Sequence, residues 1–192
     1  MTTRPGGQSK SDRTRAAILA SARQRFAQQG YHEASLRAIA ADADIDPAMI
    51  VRYFTNKEQL FAAAVDVDLR LPDLVDVPVR RRGAALVTHF LEQWEGEDRN
   101  ELLPILIRSA VSYEVAASQA RTILTGQLRR MIAATSGPGD ATRRAGLVSS
   151  QLVGLAVTRY VIKLPGISEM DRDQVVRHVA PTIQRYLTTA AD

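Results

Sequence analysis

Residues 34–61, ASLRAIAADADIDPAMIVRYFTNKEQLF, constrain this chain more tightly than any other stretch. Leu36, Ile39, Ala40 and Ala43 recur at helical spacing and form one apolar stripe. Ser35 stands just ahead of it, where a hydroxyl can accept from the backbone N–H groups that a helix start leaves unpaired. The stripe breaks at Asp44, Ile45 and Asp46, a run too short for anything but a turn. Asp44 enters a left-handed backbone more readily than most residues with a Cβ. Asp46 then caps, and Pro47 opens, a second short helix, in which Ile50 and Phe54 lie one turn apart and face the first stripe. Asn56 and Gln59 have the spacing of a capping box, so a third helix starts almost where the second ends. Two helices of about eight residues, joined by a turn of about three or four, make the supersecondary unit that reads DNA.

The rest of the chain has to explain what such a module is attached to. At 192 residues, one to two domains and a substantial core are expected. Residues 1–30 carry Arg4, Lys10, Arg13, Arg15, Arg23 and Arg25 against Asp12 alone, although the net charge of the whole chain is only +4. A basic front end on a near-neutral body suits phosphate binding by one end. The absence of cysteine excludes disulfides and thiolate metal sites. The opening MTTRPGGQSK lacks the apolar region of a signal peptide, and no run approaches a membrane span. A cytoplasmic, nucleoid-associated protein with no membrane partner is therefore expected. Only His32, His89 and His178 are present, far apart, with no phosphate-cradling glycine loop and no metal-ligand cluster. No catalytic residue, cofactor or metal is expected, and an enzyme is the remote alternative.

Gly, Pro, Ser and Thr dominate residues 1–11, which read as a disordered basic arm, either reaching a minor groove or simply solvated. A helix is predicted over 12–29, with Ile18, Leu19, Ala22 and Phe26 inward and Gly30 at its exit. From 56 to about 71 a connector helix carries Leu60, Phe61, Ala64 and Val65. Pro72 and Pro78 bracket a loop ending in Arg80-Arg81-Arg82, a triplet that reads better as a solvated helix start than as a second DNA patch. Further helices are predicted over 83–96, 101–112, 114–135, 140–163 and 171–189, with breaks at 136–139 and 164–166. With about nine helices, no convincing strand and no internal repeat, the fold class is all-α.

Candidate DNA contacts follow from position and chemistry. Ser35 and the amides beside it suit a phosphate as well as a plain cap. Arg37, in the first turn of the same helix, can donate bidentately to guanine or grip phosphate. Ala48, Met49 and Val51 carry no hydrogen-bonding side chain but can meet thymine methyls, and Arg52 faces either DNA or solvent. In the last two helices, Gly146, Ser149, Ser150 and Gly154 interleave with apolar residues, and the final stripe is broad. Small residues permit close helix approach, and a stripe wider than one core needs suggests a partner; ordinary core is the plainer alternative.

The segment resembles the N-terminal domain of TetR-family (tetracycline-repressor-like) bacterial regulators. Ser35-Leu36-Arg37, Ile39-Ala40, the turn 44–47, Arg52-Tyr53-Phe54 and Lys57-Glu58-Gln59-Leu60 carry the resemblance, preceded by Phe26, Ala27, Gly30 and Tyr31. It runs from about residue 13 to 65. The chain departs from the family pattern with Asp44 at the usual turn glycine, Asp46 at the small cap residue and Val51 at a frequent aromatic. With Asp42, these aspartates bring negative charge close to the reading helix. The resemblance implies phosphate contacts from Tyr53 and Lys57. It implies a homodimer packed through Leu152, Leu155, Ala156, Tyr160, Val175, Val179, Ile183 and Tyr186. It also implies an effector pocket, drawn from Leu86, His89, Phe90, Trp94, Leu103, Ile107, Val111, Tyr113, Leu128 and Ile132, for a small apolar molecule. The expected organisation is a basic arm over 1–11, a three-helix DNA-binding domain over 12–55 and an effector-binding and dimerisation domain over 56–192. The expected function is a dimeric transcriptional regulator, a repressor released from a palindromic operator by its effector. A ligand-independent regulator with a packed core is the alternative.

Overall fold

The computed structural model describes residues 9–188, which hold nine α-helices and no strand. The first eight residues of the expected arm lie outside the described residues. The chain divides into two units, Met1–Asp66 and Val67–Asp192.

The first unit contains α1 (Lys10–Glu33), α2 (Leu36–Asp42), α3 (Pro47–Phe54) and α4 (Lys57–Ala64). A capping box starts α1 earlier than expected: the Ser9 hydroxyl accepts from the Asp12 N–H (3.1 Å), and the Asp12 carboxylate accepts from the Ser9 N–H (3.2 Å). Near its other end, Gly30 takes φ +74°, a conformation that glycine reaches without a Cβ clash, and it kinks the chain where the helix exit is predicted. Ile18, Ala22, Phe26, Ile39, Ala40, Ile50, Leu60 and Phe61 form the small core. The Phe61 ring meets Phe26 edge-on at 5.0 Å and Tyr31 at 5.1 Å. Arg23 Nε donates to the Ala64 carbonyl (2.9 Å), closing the last turn of α4. These contacts bind α4 into the first unit, so the division falls after it rather than before it.

Helix α4 also ends at Ala64, well short of the expected 71. The reason is legible in Val65-Asp66-Val67-Asp68-Leu69-Arg70. Val65, Val67 and Leu69 are buried while Asp66, Asp68 and Arg70 are exposed, which is the period-two alternation of an extended chain.

The second unit opens with a 3-10 turn at Val79–Arg81, followed by α5 (Arg82–Glu95), α6 (Leu102–Ala110), α7 (Glu114–Ser136) and α8 (Ala141–Ala156). A π-helical turn at Val157–Val161 follows, where a continued α-helix is expected, and α9 (Arg172–Thr188) completes the unit. The arginine triplet starts a helix, and Arg80 and Arg81 are exposed. Leu86, Val87 and Leu91 of α5, Leu128 and Ile132 of α7, Val148 and Leu152 of α8, and Val175, Ile183 and Leu187 of α9 share one buried cluster. Pro181 sits inside α9 on an exposed position, where its missing N–H is tolerated best.

Helices α5 and α9 approach closely at Gly83. Its N–H donates to Gln184 Oε1 (2.8 Å), and Gln184 Nε2 donates to the Val79 carbonyl (2.8 Å), so one side chain serves both the 3-10 turn and the start of α5. A Cβ at residue 83 would lie 2.6 Å from the Ala180 carbonyl oxygen, an atom that cannot move away alone. Gly83→Ala is therefore expected to destabilise the second unit by about 1–3 kcal/mol, despite the better helix propensity of alanine. A lowered urea midpoint measures the loss, and an unchanged midpoint contradicts the close approach.

Candidate functional site

The turn between α2 and α3 is built from hydrogen bonds that its sequence makes possible. The Ser35 hydroxyl accepts from the Ala38 N–H (3.1 Å) at the start of α2. At the other end Asp44 takes φ +52°. The Ile45 N–H then reaches the Ala40 carbonyl (3.0 Å) and the Asp44 N–H reaches that of Ala41 (3.2 Å), the paired bonds of a Schellman ending. Aspartate thus does here what glycine does more often. Asp46 Oδ1 accepts from the Ala48 N–H (2.7 Å), and Pro47 occupies the first helical position of α3. Thr55 closes α3 with φ +64° and ψ −52°, and the Asn56 N–H returns to the Phe54 carbonyl at 2.6 Å. That is a γ-turn of the strained, positive-φ kind. It lets α4 begin at Lys57, with Asn56 Oδ1 accepting from the Gln59 N–H (2.8 Å).

This frame turns one side of α3 inward and the other outward. Ile50 and Phe54 are buried, whereas Ala48, Val51 and Arg52 are exposed and fall on one face; Met49 and Tyr53 lie half-buried beside it. Val51 exposes 52% of its surface. Ser35 and Arg37 are exposed on α2. The Arg52 guanidinium lies 5.7 Å from the centre of the Tyr53 ring. The Tyr53 and Ser11 hydroxyls are 3.1 Å apart, so the first turn of α1 stands beside the reading helix, a neighbour that local motif reading does not supply. Lys57 is less free than a surface lysine: its Nζ donates to the His32 carbonyl (2.8 Å) and lies 4.7 Å from the centre of the Tyr31 ring. Burial pulls its ammonium below the ordinary lysine value, and Glu33 partly opposes that.

The aspartates are less repulsive than their number suggests. Arg25 grips Asp42 through two hydrogen bonds, one of them Nη2 to Oδ1 at 2.7 Å, and the hydrogen bond holds this carboxyl below the usual range. Asp46 is occupied by the backbone of α3. Both carboxylates are therefore engaged by groups of this unit, although both residues are exposed.

The second unit holds a partly open apolar cavity of about 60 Å³. Of the expected pocket residues, Leu86, His89, Phe90, Trp94, Leu103, Ile107 and Leu128 line it. Val111 does not: it is 78% exposed at the end of α6. Tyr113 stands at the start of α7 outside the lining, and Ile132 is buried in the core cluster away from the cavity. Leu69, Leu71, Gln93, Leu124, Leu152, Val153 and Ala156 complete the wall. A single helix stripe says which face turns inward but not which other face it meets, so the contributions of α8 and of the extended segment stay hidden in the sequence.

The expected dimer residues are not all equally available on the surface of the single chain. Leu152, Leu155, Ala156, Val175 and Ile183 are buried within the single chain, and Val179 and Tyr186 pack partly against the same core. Tyr160 stacks on Trp94, with ring centres 4.6 Å apart and planes within 5°. Its hydroxyl donates to Glu95 Oε1 (2.7 Å), and burial, followed by the Glu95 carboxylate, pushes the phenol far above its ordinary range. The neighbouring Arg159 is also buried, bound to Glu95 Oε1 (2.9 Å) and the Ile167 carbonyl (2.6 Å). What α8 leaves exposed is its opposite face, with Gly146, Leu147, Ser150 and Gly154.

Comparison with known proteins follows this two-part division. Residues 18–64 match the family described as bacterial regulatory proteins, tetR family, and residues 81–187 match the tetracyclin repressor-like, C-terminal domain. Both describe regulators rather than enzymes. The HTH-type transcriptional regulator UidR of Escherichia coli (strain K12) is 36% identical over 58 residues, which is 30% of this chain and 30% of that protein. The match therefore spans less than a third of that relative's length. A TetR-family regulator from Streptomyces coelicolor A3 superposes with a TM-score of 0.60 at 26% identity, over 96% of this chain and 100% of that one. A transcriptional regulator from Saccharomonospora viridis, solved in complex with choline, shares the fold with a TM-score of 0.59 at 17% identity, over 90% of this chain and 96% of that one. Among the described residues no helix is long and apolar enough to cross a membrane, and no cluster of side chains suits a metal.

Asp46→Ala removes the cap of the reading helix. The expected cost to the first unit is about 1 kcal/mol, seen as a lower thermal midpoint and faster amide exchange at Ala48. Exchange at Ala48 that stays unchanged contradicts the cap.

Proposed function

The chain belongs to the TetR family of bacterial regulatory proteins, and we propose from this that it works as a homodimeric transcriptional repressor whose grip on a palindromic operator loosens when a small molecule fills the cavity. The observation that carries the DNA reading is the outward face of α3, where Ala48, Val51 and Arg52 are exposed on a helix capped at both ends and backed by Ile50 and Phe54. An exposed valine on so short a helix suits the methyl groups of a major groove, and Arg37 adds a fork of donors. Ser35, Tyr53, Lys57 and the first turn of α1 surround that face with groups suited to phosphate. Such a protein works in the cytoplasm, on the nucleoid.

A single reading helix covers few base pairs, and two copies related by a two-fold axis read a palindrome. The surface that best suits a second copy is the exposed side of α8. Gly146, Ser150 and Gly154 recur every four residues there, Leu147 stands exposed beside them, and no atom lies within 4 Å of a Cβ built at either glycine. A partner helix could approach this strip closely.

The switch is a shift of populations: a ligand that fits one arrangement of the cavity favours that arrangement, and operator affinity falls by the coupling energy, typically about 1–3 kcal/mol. The segment at 67–71 lines the cavity and follows directly on α4 in the chain, which supplies a covalent route for the coupling.

Fluorescence anisotropy on DNA flanking the protein's own gene tests this reading. Arg37→Ala is expected to cost about 1–3 kcal/mol of operator affinity and to relax preference at one base pair of each half-site. A uniform loss with a salt slope shallower by about one would assign Arg37 to phosphate instead, and unaltered binding would remove it from the interface. Gly154→Arg, which adds a bulky charge to open space on α8, is expected to sediment as a monomer with poor operator affinity; a stable dimer excludes this face.

A further inference from the structure

The cavity wall has one part unlike the others. Helices α5, α6, α7 and α8 are held by core packing, but Leu69 and Leu71 belong to the extended segment 67–71. That segment has no strand beside it, and side chains supply its hydrogen bonds. The Gln127 amide acts as a neighbouring strand would: its Nε2 donates to the Val67 carbonyl (2.8 Å) and its Oε1 accepts from the Leu69 N–H (2.9 Å). His89 Nε2 is 2.8 Å from the Leu69 carbonyl, which can only accept, so this nitrogen carries the proton. Asn100 Nδ2 donates to the Asp68 carbonyl (3.2 Å), and Arg70 Nη2 donates to Gln93 Oε1 (3.2 Å) and the Asp98 carbonyl (2.8 Å). Arg70 is held at φ +46°, which a residue with a Cβ keeps only where its surroundings insist.

The lining holds no Asp, Glu, Lys or Arg. Its polar residues, His89 and Gln93, already bond to the segment through His89 Nε2 and Gln93 Oε1. A carboxylate or ammonium brought inside would lose its water without meeting an Asp, Glu, Lys or Arg to offset the loss. At about 60 Å³ the space is also smaller than the roughly 150 Å³ of a cavity that accepts benzene, so a guest held wholly inside must move a wall. We propose that the effector is an uncharged, apolar molecule and that it gains its room by unlatching segment 67–71 from Gln127, Asn100 and His89. This rests on the reading of the cavity as a site for a small apolar effector and adds to it the exclusion of charge and the wall that yields.

Trp94 is the only tryptophan of the chain and lines the cavity, so its emission reports occupancy directly. The test titrates the full chain with 1-hexanol, hexanoate and hexylammonium, which share a chain length and differ in charge. Hexanol is expected to change Trp94 emission saturably, and the two ions to bind at least about tenfold more weakly. Gln127→Met keeps the length of the side chain and removes the amide. It is expected to tighten hexanol binding by about tenfold and to speed amide exchange at Leu69 by a similar factor, the equivalent of the net hydrogen bonding lost. Asn100→Ala, which removes the Asp68 anchor at a loop, serves as a second unlatched variant if Gln127→Met folds poorly, with the same direction of change. An ion bound as tightly as hexanol overturns the ligand class. Hexanol affinity unchanged in the unlatched variant overturns the yielding wall. No saturable change with any of the three, in either protein, overturns the effector reading itself and this inference with it.

Discussion

A helix of eight residues does not hold its shape alone in water, so everything the reading helix α3 can do depends on how its inner face is buried. Ile50 and Phe54 supply that burial, and Arg15 of α1 lies over the Phe54 ring at 5.3 Å. The ends are fixed just as firmly, by Asp46 at the start and by the γ-turn at Thr55 beyond the last turn. With three sides determined, the fourth is free to carry Ala48, Val51 and Arg52 outward in a defined orientation. Rigid presentation of this kind matters for groove recognition, because contacts to base edges reward only side chains that are already in place.

The second unit solves a different problem. Its helices must bury their apolar faces and still leave a wall that can give. Dense packing of α5 on α9 at Gly83, and the cluster around Leu128, Ile132 and Ile183, provide the rigid part. The segment 67–71 is attached by side-chain hydrogen bonds, which exchange with water at small net cost. Helix faces meshed by apolar packing resist displacement more strongly, since separating them exposes area to water. The segment also buries Val67 and Leu69, and its polar latch is where the proposed opening falls.

Much of the first unit was legible in its residues because its determinants are local. Capping by Ser35, Asp46 and Asn56, the left-handed Asp44 and the exit at Gly30 all act within a few residues of themselves. The exception is instructive. Residues 65–70 alternate apolar and charged, yet a helix is predicted through them when Leu60, Phe61, Ala64 and Val65 are extended at helical period. The change from period 3.6 to period 2 lies in the sequence itself, and the charged residues at 66, 68 and 70 mark it. The π-helical turn at Val157–Val161 has no such local mark: it accommodates Arg159 and Tyr160 against Glu95, a residue far away in the chain.

Site residues divide along the same line. Exposure on α3 followed from one helix and its caps, so Ala48, Val51 and Arg52 could be named from spacing alone. The cavity could be named only in part, because Leu152 and Ala156 of α8 have the same apolar pattern whether they face a partner chain, a core or an empty space; the fold turned them to the cavity. By itself the sequence determined the short helices of the first unit, their caps and the turn of the DNA-reading head, since those depend on hydrogen bonds and burial over a turn or two of chain. Tertiary structure alone decided which face of α8 is left outside, that Tyr160 stacks on Trp94, and that Gln127 stands in for a strand beside Leu69. Each of those pairings joins residues tens of positions apart, and no local pattern encodes which of several equivalent apolar or amide groups will meet.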